Sequence, residues 1–180
     1  MIVILYNYIG LYISWKHGAK IQSWPSVIKS KDYTFYLIYF SYIALVINGI
    51  ISTIRGSYVR VLVLSGFILT LIGMYINFIS RRDLAQCWLP LSNSASDTFL
   101  IKTGIYARVR HPIYLSVLIF LLGVALIGSN FYSLLFFVTL IVALIIRIRK
   151  EENALIAKFG EEYNEYARAT PILIPKIKKG

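Results

Sequence analysis

Residues 110–147 read RHPIYLSVLIFLLGVALIGSNFYSLLFFVTLIVALIIR, and this stretch decides the fold. Two apolar runs, Pro112 to Ile127 and Phe131 to Ile146, are split by Gly128-Ser129-Asn130, a composition that supports a tight turn. Each run has 16 residues, which as a helix reaches about 24 Å at about 1.5 Å per residue. A hydrocarbon core is about 30 Å thick. The whole stretch of apolar and turn residues is too long for one tilted helix, so it reads as a helical hairpin with its mouth below the membrane surface.

The rest of the chain agrees with a membrane. Hydrophobic residues make up 58% of the 180 and charged residues 15%, against about 25% charged in soluble domains. Met1 to Trp15 is a short apolar run without the basic start and small-residue cleavage site of a signal peptide, and is expected to be a first span. Tyr33 to Ile54 carries no charge and is the second; Val61 to Ile79, bounded by Arg81 and Arg82, is the third. The short Arg55-Gly56-Ser57-Tyr58-Val59-Arg60 link makes these two a hairpin. The expectation is an all-α, multi-pass protein with five spans and one membrane domain over 1–180: 1–79 supplies three spans, and 80–180 a polar loop, the hairpin and a tail helix.

Ten Lys and nine Arg against eight acids give a net charge of +11. If 16–32, 80–110 and 147–180 share one side, 17 of the 19 basic residues lie there. That bias places those segments in the cytoplasm, against anionic lipid. Because the basic residues lie between apolar runs, nucleic acid is not the expected partner. A lone Cys87 excludes an internal disulfide. Two histidines, His17 and His111, with no H-x-x-H spacing argue against a metal site.

Three constellations carry chemistry. In Arg108-Val109-Arg110-His111-Pro112-Ile113-Tyr114, proline suits the first position of a helix, where its missing N–H costs nothing. The first amides of such a helix form an anion site at its positive end; the plainer reading is a helix start with headgroup anchors. In Arg147-Ile148-Arg149-Lys150-Glu151-Glu152, Arg147 and Glu151 are four apart and share a helix face. A snorkelling arginine with its ion pair is the alternative, but the hairpin register brings His111, Tyr114, Arg147 and Glu151 to one mouth. The third is the polar loop with Arg81, Arg82, Trp88 and Thr98 to Tyr106, where Trp88 and Tyr106 can stack on a planar ring or serve as interfacial aromatics. In the tail, Leu155, Phe159, Tyr163 and Tyr166 recur on one helical face that also carries Lys158 and Glu162; Thr170-Pro171 ends it.

The ordered set of motifs resembles the isoprenylcysteine carboxyl methyltransferase family and the related phospholipid methyltransferases. The matching pieces are Arg82-Asp83-Leu84-Ala85-Gln86-Cys87-Trp88, Leu100-Ile101-Lys102-Thr103-Gly104-Ile105-Tyr106, Arg110-His111-Pro112-Ile113-Tyr114, Arg147 to Glu152, Phe159-Gly160-Glu161-Glu162-Tyr163-Asn164-Glu165-Tyr166, and Ile174-Pro175. The resemblance implies methyl transfer from S-adenosyl-L-methionine, with S-adenosyl-L-homocysteine as product, to the carboxylate of a lipophilic or lipidated acceptor reached from the bilayer. It implies a cofactor pocket lined by Thr98, Phe99, Leu100, Ile101, Tyr106, His111, Pro112, Ile113, Tyr114, Glu151 and Glu152. Arg147 would address the acceptor carboxylate, with Trp88 beside it, and Glu151 would complement the cationic cofactor. Thr98 stands where many members have histidine, and Ile105 where proline is frequent. Phospholipid or small-amine N-methylation, NADPH-dependent reduction of the sterol-reductase type and a non-catalytic scaffold remain as alternatives.

Overall fold

The computed structural model describes residues 12, 33–56, 59–86 and 100–175, and among these the secondary structure is helical, with no strand. From Tyr33 on, the described residues form five α-helices in order: α1 (Tyr33–Ile54), α2 (Arg60–Gln86), α3 (Pro112–Gly128), α4 (Phe131–Phe159) and α5 (Glu161–Ala169). A 3₁₀ turn, Gly104–Ala107, precedes α3. Stretches within α1, α2 and α4 are long and apolar enough to cross a membrane, while α3 is apolar but has 17 residues, about 25 Å. Met1–Trp15, expected as a further span, lies outside the described residues except for Tyr12.

Helices α2 and α4 are longer than the hydropathy pattern suggests. The apolar run after Arg60 gives out at Ile79, yet α2 continues to Gln86. Ser80 donates to the Ile76 carbonyl at 2.6 Å and Arg81 Nε to Asn77 Oδ1 at 3.0 Å, so the polar side chains lie along the helix rather than interrupting it. Likewise α4 passes through Arg147 to Phe159 without a break. The helix then stops at Gly160, whose φ of 56° lies in the left-handed region that glycine enters without the Cβ penalty. Leu155 and Phe159 therefore sit on α4, and Tyr163 and Tyr166 on α5. The single tail face expected from the spacing is divided, and Glu162 pairs with Lys102 at 2.9 Å.

Two compact units divide the chain: one comprises 1–22, 76–115 and 151–180, the other 23–75 and 116–150. The second unit is held by close helix contact through glycine. A Cβ on Gly66 would strike the Gly123 carbonyl oxygen, one on Gly123 the Gly66 carbonyl oxygen, and one on Gly73 the backbone of Phe120. Small residues at such crossings let helix backbones approach in lipid, where burial of apolar surface gives little drive. Gly123→Leu should thus force α2 and α3 apart and lower stability by about 1–3 kcal/mol, read as a fall in the thermal midpoint in detergent.

The turn between α3 and α4 falls on Ser129 and Asn130, as its composition indicates. Asn130 Oδ1 accepts the Ser133 N–H at 3.0 Å, an N-cap bond for α4. Its Nδ2 donates to Ser52 Oγ at 2.8 Å, and Asn48 Nδ2 donates to Ser133 Oγ at 2.7 Å. These amides tie the turn to α1 and satisfy polar groups that would be costly unpaired in an apolar surround. Elsewhere, Ser41 and Thr53 donate to the carbonyls of Leu37 and Gly49, four residues back, which is how lone hydroxyls are satisfied within a spanning helix.

Candidate active site

The candidate site lies in the first unit and begins with the segment ahead of α3. Gly104 has φ 61°, and a Cβ there would run into the Asp83 carboxylate. That closeness is used: Asp83 Oδ2 accepts the Ile105 N–H at 2.9 Å, while Arg82 Nη2 meets Oδ1 at 3.0 Å. The 3₁₀ turn is thereby fastened to the end of α2, and Tyr106 is turned inward and buried. Burial, reinforced by the nearby Glu151 carboxylate, pushes the Tyr106 phenol well above its ordinary pKa, with Arg81 opposing. Its hydroxyl stays protonated.

The chain then enters α3 through Arg110 and His111, whose backbone N–H groups donate to the carbonyls of Pro171 (2.9 Å) and Ile172 (3.1 Å). Pro112 opens the helix, as expected, and the Leu115 N–H returns to the His111 carbonyl at 3.1 Å. Both side chains turn to Glu152 on α4. Arg110 Nη2 meets Glu152 Oε2 at 2.9 Å, and His111 Nε2 meets Oε1 at 2.6 Å. The Tyr163 hydroxyl donates to the same Oε1. One carboxylate thus holds three donors from α3's entrance and α5.

Glu151 faces a different partner: the Tyr114 hydroxyl donates to its Oε2 at 2.6 Å. The rings of His111 and Tyr114 lie 5.7 Å apart between centroids. Two adjacent glutamates therefore divide the work. Glu152 is engaged on both oxygens by its own chain, and Glu151 is held on one by a phenol. Helix α5 closes the frame. Tyr166 donates to the Tyr106 carbonyl at 2.6 Å, and Arg110 Nη1 to the Ala167 carbonyl at 2.7 Å. Burial pushes the Tyr166 phenol up to about 12 and the Tyr163 phenol higher, the Glu152 bond adding to the latter.

Of the residues singled out in the sequence, the structure brings Tyr106, His111, Pro112, Tyr114, Glu151 and Glu152 into this unit, with Ile113 in the first turn of α3. Leu100 and Ile101 lead into the 3₁₀ turn, half-buried. Trp88, Thr98 and Phe99 lie outside the described residues. Arg147 is half-buried on α4, four residues ahead of Glu151, and belongs to the second unit. Arg110 stands in the first of the constellations, though without a role of its own, and Asp83, Tyr163 and Tyr166 were not singled out as site residues. The signal for the tyrosines was their hydroxyl: a buried tyrosine on an apolar face needs a hydrogen-bond partner.

The chain is similar to known proteins over this same region. The model of the phospholipid methyltransferase family matches residues 61–162. Protein-S-isoprenylcysteine O-methyltransferase of Schizosaccharomyces pombe is 40% identical over 87 residues, 48% of this chain and 37% of that protein. The Homo sapiens protein of the same name is 34% identical over 90 residues, 49% of this chain and 32% of its own length. Methanethiol S-methyltransferase of Crocosphaera subtropica is 31% identical over 106 residues, 58% of this chain and 40% of its own. The chain thus covers between 32% and 40% of these relatives. The family match takes in the larger part of the chain, including the joined motifs of α3 and α4, and the chain belongs to the phospholipid methyltransferase family.

Proposed function

We propose that the protein is an S-adenosyl-L-methionine-dependent methyltransferase of the membrane, esterifying the carboxylate of a lipophilic, isoprenylcysteine-like acceptor. The observation that carries this reading is the joining of Arg110-His111-Pro112-Ile113-Tyr114 to Glu151-Glu152 through His111–Glu152, Arg110–Glu152 and Tyr114–Glu151. The family match and the names of the isoprenylcysteine relatives support the same chemistry. Five spans with a C-terminal hairpin, and a site on the cytoplasmic side, complete the proposal on the strength of the apolar segments and the charge bias.

The residues fit such a cofactor. Glu151, oriented by Tyr114, offers negative charge to a sulfonium. Buried Arg110 Nε is without a partner among the described residues, a donor suited to a carboxylate. When bound, the cofactor supplies an electrophilic methyl group: an acceptor oxygen forms the new C–O bond as the C–S bond breaks, leaving a neutral thioether. An anionic acceptor needs no general base, so the protein's part is to position the reactants and exclude water. Glu151 and the opening of α3 bind, Glu152 keeps His111 in place, and Arg147 holds the acceptor's carboxylate through its guanidinium fork.

The similarity to methanethiol S-methyltransferase, which extends over more of this chain than the other relatives, favours a thiol as the second acceptor class. Two measurements test the proposal. S-adenosylhomocysteine at about a hundred times its dissociation constant should stabilise the purified protein by about 2.7 kcal/mol; no shift removes the cofactor assignment. With methyl-labelled cofactor, membranes containing the protein should yield base-labile label, as an ester requires, whereas base-stable label would point to a thioether or an amine.

A further inference from the structure

We propose that Tyr163 is a positioning residue that keeps Glu152 on His111 by preventing it from closing a bidentate pair with Arg110. Arg110 and Glu152 are joined by a single contact, Nη2 to Oε2 at 2.9 Å. The other edge donor of the guanidinium, Nε, is buried and has no partner among the described residues. That is an unusual state for a buried pair. Arginine and carboxylate favour two parallel N–H···O bonds, and an unmet buried donor costs about 1–3 kcal/mol. A rotation of the Glu152 carboxyl that aims Oε1 at Nε would complete the fork.

What opposes it is the occupancy of Oε1. His111 Nε2 lies 2.6 Å from this oxygen, and the Tyr163 hydroxyl donates to it as well. A carboxylate oxygen has two lone-pair sites, so both are filled. The phenol is well placed for the task. Tyr163 is 1% exposed, its ring lies edge-on to Tyr166 at 6.0 Å, and its raised pKa leaves it a donor throughout the working range. Because the carboxylate only accepts, His111 carries its proton on Nε2, and the ring is fixed with Nδ1 as its other polar atom. The hydroxyl of Tyr163 therefore tips Glu152 toward the histidine and away from the fork.

This device deepens the methyl-transfer proposal and rests on it only where rates are read. The direct test is nitrogen-15 spectroscopy of histidine-labelled protein, in which His17 and His111 are the two signals. In the wild type the His111 Nε2 proton should be slowly exchanging and shifted downfield by its carboxylate partner. Tyr163→Phe keeps the ring and removes the hydroxyl. It should abolish that signal, leave His17 unchanged, and lower the thermal midpoint modestly, since the fork returns one bond for the two lost at Oε1 and leaves the buried His111 Nε2 without its acceptor. Adding Arg110→Lys, which offers no fork, should restore the signal in the double variant. If methyl transfer is present in the wild type, Tyr163→Phe should slow it about tenfold to a hundredfold. Retention of the His111 signal in Tyr163→Phe, its failure to return in the double variant, or loss of the folded protein in either variant would overturn the proposal. An inactive wild type with the predicted signals would instead count against the methyltransferase reading alone.

Discussion

Glu152→Ala is expected to lower the protein's stability by about 3–5 kcal/mol, because it removes one partner from a buried ion pair. The Arg110 side chain is 8% exposed and that of His111 4%, so neither can turn to water for compensation. Tyr163, fully buried, loses its acceptor at the same time. Domains are stable by about 5–15 kcal/mol, so the variant should unfold tens of degrees lower or fail to accumulate. Exposed pairs supply the contrast. Lys102–Glu162 and Arg168–Glu161 are on the surface, where such pairs contribute about 0–1 kcal/mol. Glu162→Ala should leave the thermal midpoint almost unmoved. The same truncation in two acids ten residues apart thus separates burial from charge, and near-equal losses would show that Glu152 is not the hub of this unit.

How much of this was legible in the sequence follows from what each signal reports. Hydropathy reports where lipid ends and not where a helix ends. Ile79 and Ile146 close the apolar runs, but no glycine or proline follows them until Pro90 and Gly160, and α2 and α4 run on past both boundaries. Signals that act on the backbone were read correctly: Pro112 opens α3, Gly128-Ser129-Asn130 holds the turn, and Thr170-Pro171 ends α5 at Ala169. Gly160 was also visible, yet the regular spacing of Phe159 and Tyr163 concealed that a positive φ lay between them. In the site, adjacency hid the division of labour. Glu151 and Glu152 differ by about 100° around a helix, which sends one to Tyr114 and the other to Arg110 and His111. Only packing decides which goes where, and Tyr163 and His111, two of the partners of Glu152, lie 11 and 41 residues away in sequence. Asn48 and Asn130, 82 residues apart, are invisible as a pair for the same reason.

Arg147→Ala is expected to cut transfer to a carboxylate acceptor sharply while leaving cofactor binding largely intact. The argument begins with cost: a guanidinium at the end of an apolar run is expensive unless it has a task or a partner. Arg147 follows Ile145 and Ile146 at such a point, and it lies four residues ahead of Glu151 on an unbroken helix, which places the two on one face. Removing one partner of a buried charged hydrogen bond costs about 2–5 kcal/mol, or about thirtyfold to several thousandfold in kcat/KM. The division between kcat and KM is informative. As the methyl group moves, the carboxylate loses its negative charge, so the attraction to Arg147 is greatest before the reaction and declines during it. The loss should therefore fall first on the KM of the acceptor, with the part in kcat reporting misplacement of the attacking oxygen. Arg147→Lys, which keeps the charge but not the fork, should recover affinity for the acceptor more than rate. A neutral thiol makes no such demand. If Arg147→Ala spares methylation of a small thiol and removes that of a prenylated carboxylate, the guanidinium is the group that chooses between the two acceptors. Loss of S-adenosylhomocysteine binding in a folded variant would instead assign Arg147 to the cofactor and leave the acceptor's carboxylate to another residue.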